Sequence, residues 1–198
     1  MNKEREFRGL TVPLEIRTED GDANPKVEGY ASVFGQEAVI GDYFREVFVA
    51  GCFRESLKNS DDVVFLVNHD GLPLARTRAG TLKLKEDKRG LHISAELDGT
   101  DPDVARIVPK MKRGDLDKMS IAFLPTVQEW EDRENEDLPL RKITEARLFD
   151  VSIVTNPAYD GTEIGLRALE DYRSQLGVPP YVRKLRMKMK QGLTARRT

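Results

Sequence analysis

Apolar and polar residues alternate along much of the chain with a period of two, which is typical of half-buried β-strands. The alternation is clearest in residues 80–87 and 90–98, and the Lys-Arg-Gly sequence between them suits a hairpin turn. Residues 62–70 contain a continuous apolar run, which predicts a strand buried on both faces. Further strands are predicted over residues 5–18, 27–35, 118–132 and 141–155.

Apolar residues at helical spacing occur in three segments. Residues 101–114 carry acids at the start and Lys and Arg toward the end, which complements a helix dipole, and Pro109 is expected to kink the last turn. A short helix is predicted after Gly51, and a longer one over residues 163–177. Many short strands with few helices predict an α+β, mainly β fold, in which a β-barrel or compact sheet is flanked by helices.

The composition is that of an ordinary folded domain. The chain has 198 residues, of which 33% are charged and 39% hydrophobic, so it can bury a core within one domain. No apolar run reaches the roughly 18 residues of a membrane span, and the N-terminal residues do not have the pattern of a secretory signal. Cys52 is the single cysteine, which suits a reducing cytoplasm, and with only two histidines no metal site or other cofactor is predicted.

Charge divides the chain into an acidic body and a basic tail. Residues 182–198 hold seven of the 32 Lys and Arg side chains and no acid, so residues 1–181 carry 25 basic against 34 acidic side chains. We therefore expect a folded body at 1–162, followed by a C-terminal helix and a basic, mobile tail at 163–198. Such a tail either binds an acidic partner or stays solvated.

Three reactive side chains stand in different settings. His69 ends a buried apolar strand and opens into a turn, where a catalytic group would be both rigidly held and accessible, although it could equally cap the turn. His92 lies on the polar face of its strand and is interpreted as a solvated surface residue. Cys52 is interpreted as a small apolar thiol packed beneath Phe53.

A serine nucleophile would need His69 as its base. Ser120 and Ser152 both lie in predicted strands and could serve, since a serine becomes nucleophilic only beside a base that a third group orients. Glu145 and Asp150 are the candidate acids, and as they are five residues apart in one strand, we expect them on opposite faces.

Several blocks of the sequence, in this order, resemble the prohead (capsid maturation) proteases of tailed bacteriophages. The resemblance extends over about residues 8–160 and is carried by "VEGYASVFG", "FREVFVAGCFRESL", "VVFLVNHD", "GDLDKMSIAF" and "RKITEARLFDVSIVTNPAY". It implies a serine protease on a herpesvirus-protease-like closed β-barrel flanked by a few helices. His69 and Ser120 match the catalytic histidine and serine. Glu145 is preferred as the third member, with Asp150 as the alternative, and Cys52 stands where the family usually has alanine.

The resemblance also implies a function and partners. The enzyme would be a serine endopeptidase that needs no cofactor and cleaves the scaffold protein or a scaffold-like segment of the major capsid protein, together with itself. It would act inside the assembling procapsid in the host cytoplasm, without nucleic acid or membrane, and a homo-oligomer is compatible with this. The alternative is a non-enzymatic capsid assembly protein that keeps the barrel as an interaction module.

Overall fold

A computed structural model of the chain describes residues 5–10, 15–17, 24–59, 61–133, 136–156 and 163–177. The chain divides into two units, Met1–Thr162 and Glu163–Thr198. The strands of the first unit are β1 (Glu6–Leu10), β2 (Glu15–Arg17), β3 (Lys26–Val33), β4 (Ala38–Ile40), β5 (Phe44–Phe48), β6 (Val64–Val67), β7 (Asp70–Arg76), β8 (Leu82–Glu86), β9 (Gly90–Glu96), β10 (Lys118–Glu131) and β11 (Leu140–Val154). Its helices are α1 (Arg54–Lys58) and α2 (Pro102–Arg113), and α3 (Glu163–Gln175) belongs to the second unit.

The strands form two sheets. The larger has seven strands in the order β1-β10-β11-β5-β4, with β6 paired to β11 and β7 paired to β6, and the smaller has the order β2-β3-β9-β8. The long strand β11 pairs in parallel with β5 near its beginning and with β6 near its end, so the larger sheet branches. Among the described strands neither sheet closes on itself. The mainly β, α+β class is confirmed. The expectation of a closed barrel is wrong for the described strands, because the end strands β1 and β4 of the larger sheet, and β2 and β8 of the smaller one, do not pair with each other.

Most predicted elements are present. The 80–98 hairpin forms as β8 and β9, and the helix predicted at 101–114 forms as α2. Asp101 caps α2 by accepting a hydrogen bond from the backbone N–H of Asp103, and Gly114 ends it in the left-handed conformation. Pro109 lies inside α2, which nevertheless continues to Arg113. The sequence did not predict β4 or β7, and the basic tail beyond residue 177 lies outside the described residues.

Strand alternation gives the larger sheet two chemically different faces. Ile121 and Phe123 of β10 and Val151 and Ile153 of β11 join a core cluster with buried residues of β3 and β9, such as Val27, Leu91, Ile93 and Ala95. This side is called the core face. The residues between them, among them Ser120 and Ser152, project to the opposite side, called the site face. One strand pair therefore supplies both the core and the candidate site.

Four buried charges fix the N-terminal strand β1 to this sheet. Arg8 donates to Glu6 and Glu46, and Arg141 donates to the same two carboxylates. All four side chains are at most 5% exposed. Burial would raise the pKa of Glu6, but the hydrogen bonds and charges of Arg141 and Arg8 outweigh it and hold that pKa below its ordinary value. These residues (Glu6, Arg8, Glu46 and Arg141) are called the charge cluster below.

Candidate active site

Three neighbouring strands present two rows of residues on the site face. Gly9 of β1 pairs with Ser120 of β10, which pairs with Ser152 of β11. In the next row, Phe7 pairs with Ala122, and Ala122 pairs with Asp150. Directly opposed residues in paired strands point to the same face. Four residues of these rows have small side chains, namely Gly9, Ser120, Ala122 and Ser152. They form a shallow surface, called the floor of the site, on which a ring can lie beside Asp150.

His69 reaches this floor from a tight turn. Val67 pairs with Asp70, so only Asn68 and His69 lie between β6 and β7. Both have positive φ, 51° and 60°, as a two-residue hairpin turn of type I′ requires. The Asn68 backbone N–H donates to the carbonyl of Ile153, and its side-chain oxygen accepts from the backbone N–H of Thr155. The turn is therefore fastened to the end of β11.

A continuous chain of hydrogen bonds joins Ser120, His69 and Asp150. The Nε2 atom of His69 lies 2.7 Å from the Ser120 Oγ, and the Nδ1 atom lies 2.6 Å from the Asp150 Oδ1. An ionised carboxylate can only accept hydrogen bonds, so with Asp150 ionised and the imidazole neutral this geometry requires the hydrogen on Nδ1 and leaves Nε2 to accept from the serine hydroxyl. The His69 side chain is 15% exposed and that of Asp150 5%. The arrangement combines a serine, an adjacent base and an orienting acid.

The acid beside His69 is Asp150, which corrects the preference for Glu145. Glu145 instead accepts a hydrogen bond from the Thr126 hydroxyl at 2.7 Å. At roughly 3.3 Å per residue, the five-residue step from Glu145 to Asp150 corresponds to about 16 Å along β11. The useful sequence signal was the two-residue spacing between Asp150 and Ser152, which puts both on one face.

Sequence reasoning did not find Phe7 or Asn68. The Phe7 ring packs edge-on against the His69 ring, with ring centroids 4.6 Å apart. Phe7 and Gly9 alternate along β1 with Glu6 and Arg8, so β1 contributes one face to the site and the other to the charge cluster. That alternation was visible in the sequence, but the partner strand of β1 was not.

The other candidate residues lie elsewhere. His92 packs edge-on against Tyr30, with centroids 5.2 Å apart, in the smaller sheet. Cys52 is fully buried, and burial raises the pKa of its thiol far above the ordinary value. Within the described ranges, no group of three or more His, Cys, Asp or Glu side chains could hold a metal ion. No described helix has the length and apolar character needed to cross a membrane.

Comparison with known proteins identifies the relatives of this chain. Residues 12–175 match the family described as caudovirus prohead serine protease. Among solved structures, the bacteriophage T4 capsid assembly protease, gp21, is similar with a TM-score of 0.49 and 13% identity, covering 78% of this chain and 98% of that one. A search of curated proteins finds no match. The family match extends over most of the chain and favours an enzyme over the non-enzymatic assembly protein. The chain belongs to the caudovirus prohead serine protease family.

Proposed function

We propose that Ser120, His69 and Asp150 are the nucleophile, general base and orienting acid of this capsid maturation protease. The observation that carries the proposal is the unbroken hydrogen-bond chain from the Ser120 Oγ through both nitrogens of His69 to the Asp150 carboxylate. Three elements that are distant in sequence supply these groups, since the serine lies in β10, the aspartate in β11 and the histidine in the β6–β7 turn. Glu145 has no place in this chain of bonds.

The geometry supports the following reaction. His69 Nε2 takes the proton from the Ser120 hydroxyl as its oxygen attacks the carbonyl carbon of the scissile peptide bond. The resulting imidazolium is stabilised by the Asp150 carboxylate and then gives its proton to the leaving amine, which leaves an acyl-enzyme. A water molecule, deprotonated by the same nitrogen, hydrolyses the ester and restores Ser120. The edge-on Phe7 ring shields one side of the imidazole from water.

The family supports a capsid-related substrate within the prohead. As part of the proposal, the substrates are the scaffold protein or a scaffold-like segment of the major capsid protein, and the protease itself, cleaved inside the procapsid in the host cytoplasm. We also propose that the chain divides into a protease domain at 1–162 and an appended segment at 163–198. A relation in fold to the herpesvirus assemblins is part of the same proposal.

Active-site labelling tests the proposed nucleophile. A fluorophosphonate probe forms a bond to an activated serine oxygen with loss of fluoride. We expect the label on the peptide that contains Ser120, and expect Ser120→Ala and His69→Ala each to abolish both labelling and cleavage of co-expressed scaffold and capsid proteins. His92→Gln is the matched control, because it removes the chain's other histidine and should leave labelling intact. Label on Ser152 would overturn the assignment of the nucleophile.

A further inference from the structure

The Asp150 carboxylate has a second donor besides His69. The Ser152 hydroxyl donates to the Asp150 Oδ1 at 2.8 Å, the same oxygen that lies 2.6 Å from the His69 Nδ1. Ser152 is fully buried. One oxygen of the acid thus accepts from both the imidazole and a serine that the mechanism above does not use.

The position of Asp150 explains why a side-chain donor is needed. Asp150 lies within β11, which pairs with β10 on one side and with β6 on the other at this point. Backbone N–H groups there are engaged in strand pairing, and they point within the sheet plane and away from the site face. A buried carboxylate is costly unless donors compensate for the water it has lost. The residue two positions along the strand projects to the same face, and here it is a serine.

Two serines lie near one histidine, and their hydrogen bonds distinguish them. Ser120 and Ser152 are directly opposed in the β10–β11 pair, so both project toward the imidazole. The Ser120 Oγ lies at the His69 Nε2, whereas the Ser152 hydroxyl is directed to Asp150. A hydroxyl whose proton is committed to a carboxylate is not aligned for transfer to the base. The contacts therefore separate an attacking serine from one that acts on the acid.

We propose that Ser152 is a positioning residue that holds the Asp150 oxygen against the His69 Nδ1 and thereby keeps His69 in its Nδ1–H tautomer. This inference rests on the proposed triad and adds a fourth residue to it. The tautomer matters because only with the hydrogen on Nδ1 can Nε2 accept the proton of Ser120.

The first experiment is a double-mutant cycle with Ser152→Ala and Asp150→Asn. Ser152→Ala removes a hydrogen bond to a charged group, and this loss should lower kcat by about 10-fold or more. KM should change by less than about twofold. In the Asp150→Asn background, Ser152→Ala should have little further effect because the carboxylate it positions is gone. Ser94→Ala is the matched control. Ser94 also donates to a strand carboxylate, Glu28, but in the smaller sheet, so its loss should leave kcat unchanged.

The second experiment observes the tautomer directly. The chain has two histidines, so ¹⁵N-histidine labelling gives two sets of ring signals, and His92→Gln identifies those of His69. We expect the wild-type His69 to hold its hydrogen on Nδ1 and the Ser152→Ala variant to show a mixture of tautomers at the same pH. Ser152→Thr, which keeps the hydroxyl, should restore the wild-type spectrum.

Failure of this inference is distinguishable from failure of the triad. If Ser152→Ala leaves kcat and the His69 spectrum unchanged while Ser120→Ala is inactive, the triad stands and the positioning role is wrong. Equal effects of Ser152→Ala in the wild-type and Asp150→Asn backgrounds would likewise overturn it, because the serine would then act independently of the acid. If Ser120→Ala remains active and the probe labels Ser152, the triad itself is wrong.

Discussion

The two faces of β1 meet two buried polar groups that are organised in opposite ways. Glu6 and Arg8 enter the charge cluster, where two acids and two bases neutralise one another and each guanidinium contacts both carboxylates. Phe7 and Gly9 line the site face, where hydrogen bonds run in one line from the Ser152 hydroxyl through Asp150 and His69 to the Ser120 hydroxyl. Each guanidinium of the first group binds both carboxylates, whereas each ring nitrogen of His69 bonds to one side chain of the site.

This difference separates a structural cluster from a reactive one. In the charge cluster, two guanidinium groups balance two carboxylates, and moving a proton from one to the other would abolish an ion pair and its charge-assisted hydrogen bonds, so the arrangement favours one protonation state. In the proposed triad, by contrast, the proton of Ser120 would pass to the His69 Nε2, and Asp150 would stabilise the resulting imidazolium. Burial of charge alone therefore does not distinguish the proposed active site from a structural cluster. The proposed site differs in having a chain of donors and acceptors along which one proton can move.

The largest effect is expected at the acid of the site. Asp150→Asn keeps the shape of the side chain but removes the charge that orients His69, and in a serine triad such a change lowers kcat by about 10⁴-fold. Glu145→Gln, the matched control on the same strand, should change kcat by less than about threefold. Steady-state cleavage of a peptide substrate measures both. A greater loss with Glu145→Gln would return the role to that residue.

Mutations in the charge cluster should lower the stability of the protein and leave kcat of the folded enzyme unchanged. Arg141→Met leaves two buried carboxylates with one guanidinium between them, which should lower the free energy of unfolding by about 3–5 kcal/mol. The matched control, Arg106→Met, removes one partner of the exposed Arg106–Asp103 pair and should change the free energy of unfolding by at most about 1 kcal/mol. Urea titration measures both values. A kcat for folded Arg141→Met far below the wild-type value would show that the cluster also serves catalysis.

How far the sequence predicts this molecule depends on the range of the interactions involved. The β8–β9 hairpin and α2 follow from local patterns, since turn residues, apolar spacing and an Asp101 cap all lie within the segment. The pairing of Ser120 with His69 came from family resemblance. Alternation alone could not choose Asp150 over Glu145, because the choice depends on where β6 and its turn align with β11. The branching of the larger sheet was unpredictable for the same reason.

The contribution of Glu6 to the charge cluster should be visible in how the free energy of unfolding depends on pH. The pKa of Glu6 in the folded protein lies below its ordinary value of 4.5, whereas in the unfolded chain it is unperturbed. The stabilisation is therefore fully present above about pH 4.5 and is lost as the pH falls through the lower, folded-state pKa. Glu6→Gln should be less stable at pH 7 and lose less stability on acidification. Parallel wild-type and variant curves from urea titrations between pH 3 and 7 would contradict this.

The turn that carries His69 should show a smaller effect. Asn68→Gly keeps the left-handed backbone but loses the side-chain bond to Thr155, whereas Asn68→Ala loses the bond and also strains the backbone. We expect kcat to fall by about 10-fold or less in both, as one neutral hydrogen bond is lost, and stability to fall further in Asn68→Ala. Kinetics together with thermal unfolding separate the two contributions. Unchanged kcat in both variants would mean that the turn holds His69 without this anchor.

The smallest effect is expected at Cys52, a buried group that belongs to neither cluster. Its thiol lies in the apolar core, where burial and the nearby charge of Glu86 raise its pKa far above the ordinary value. The thiolate is the reactive form, so the native enzyme should resist a thiol reagent such as DTNB at pH 8 and react only when unfolded. Treatment should leave kcat unchanged, and Cys52→Ala should do so as well, with a modest loss of stability from the smaller side chain. Rapid modification of the folded enzyme with loss of activity would place this thiol near the reaction after all.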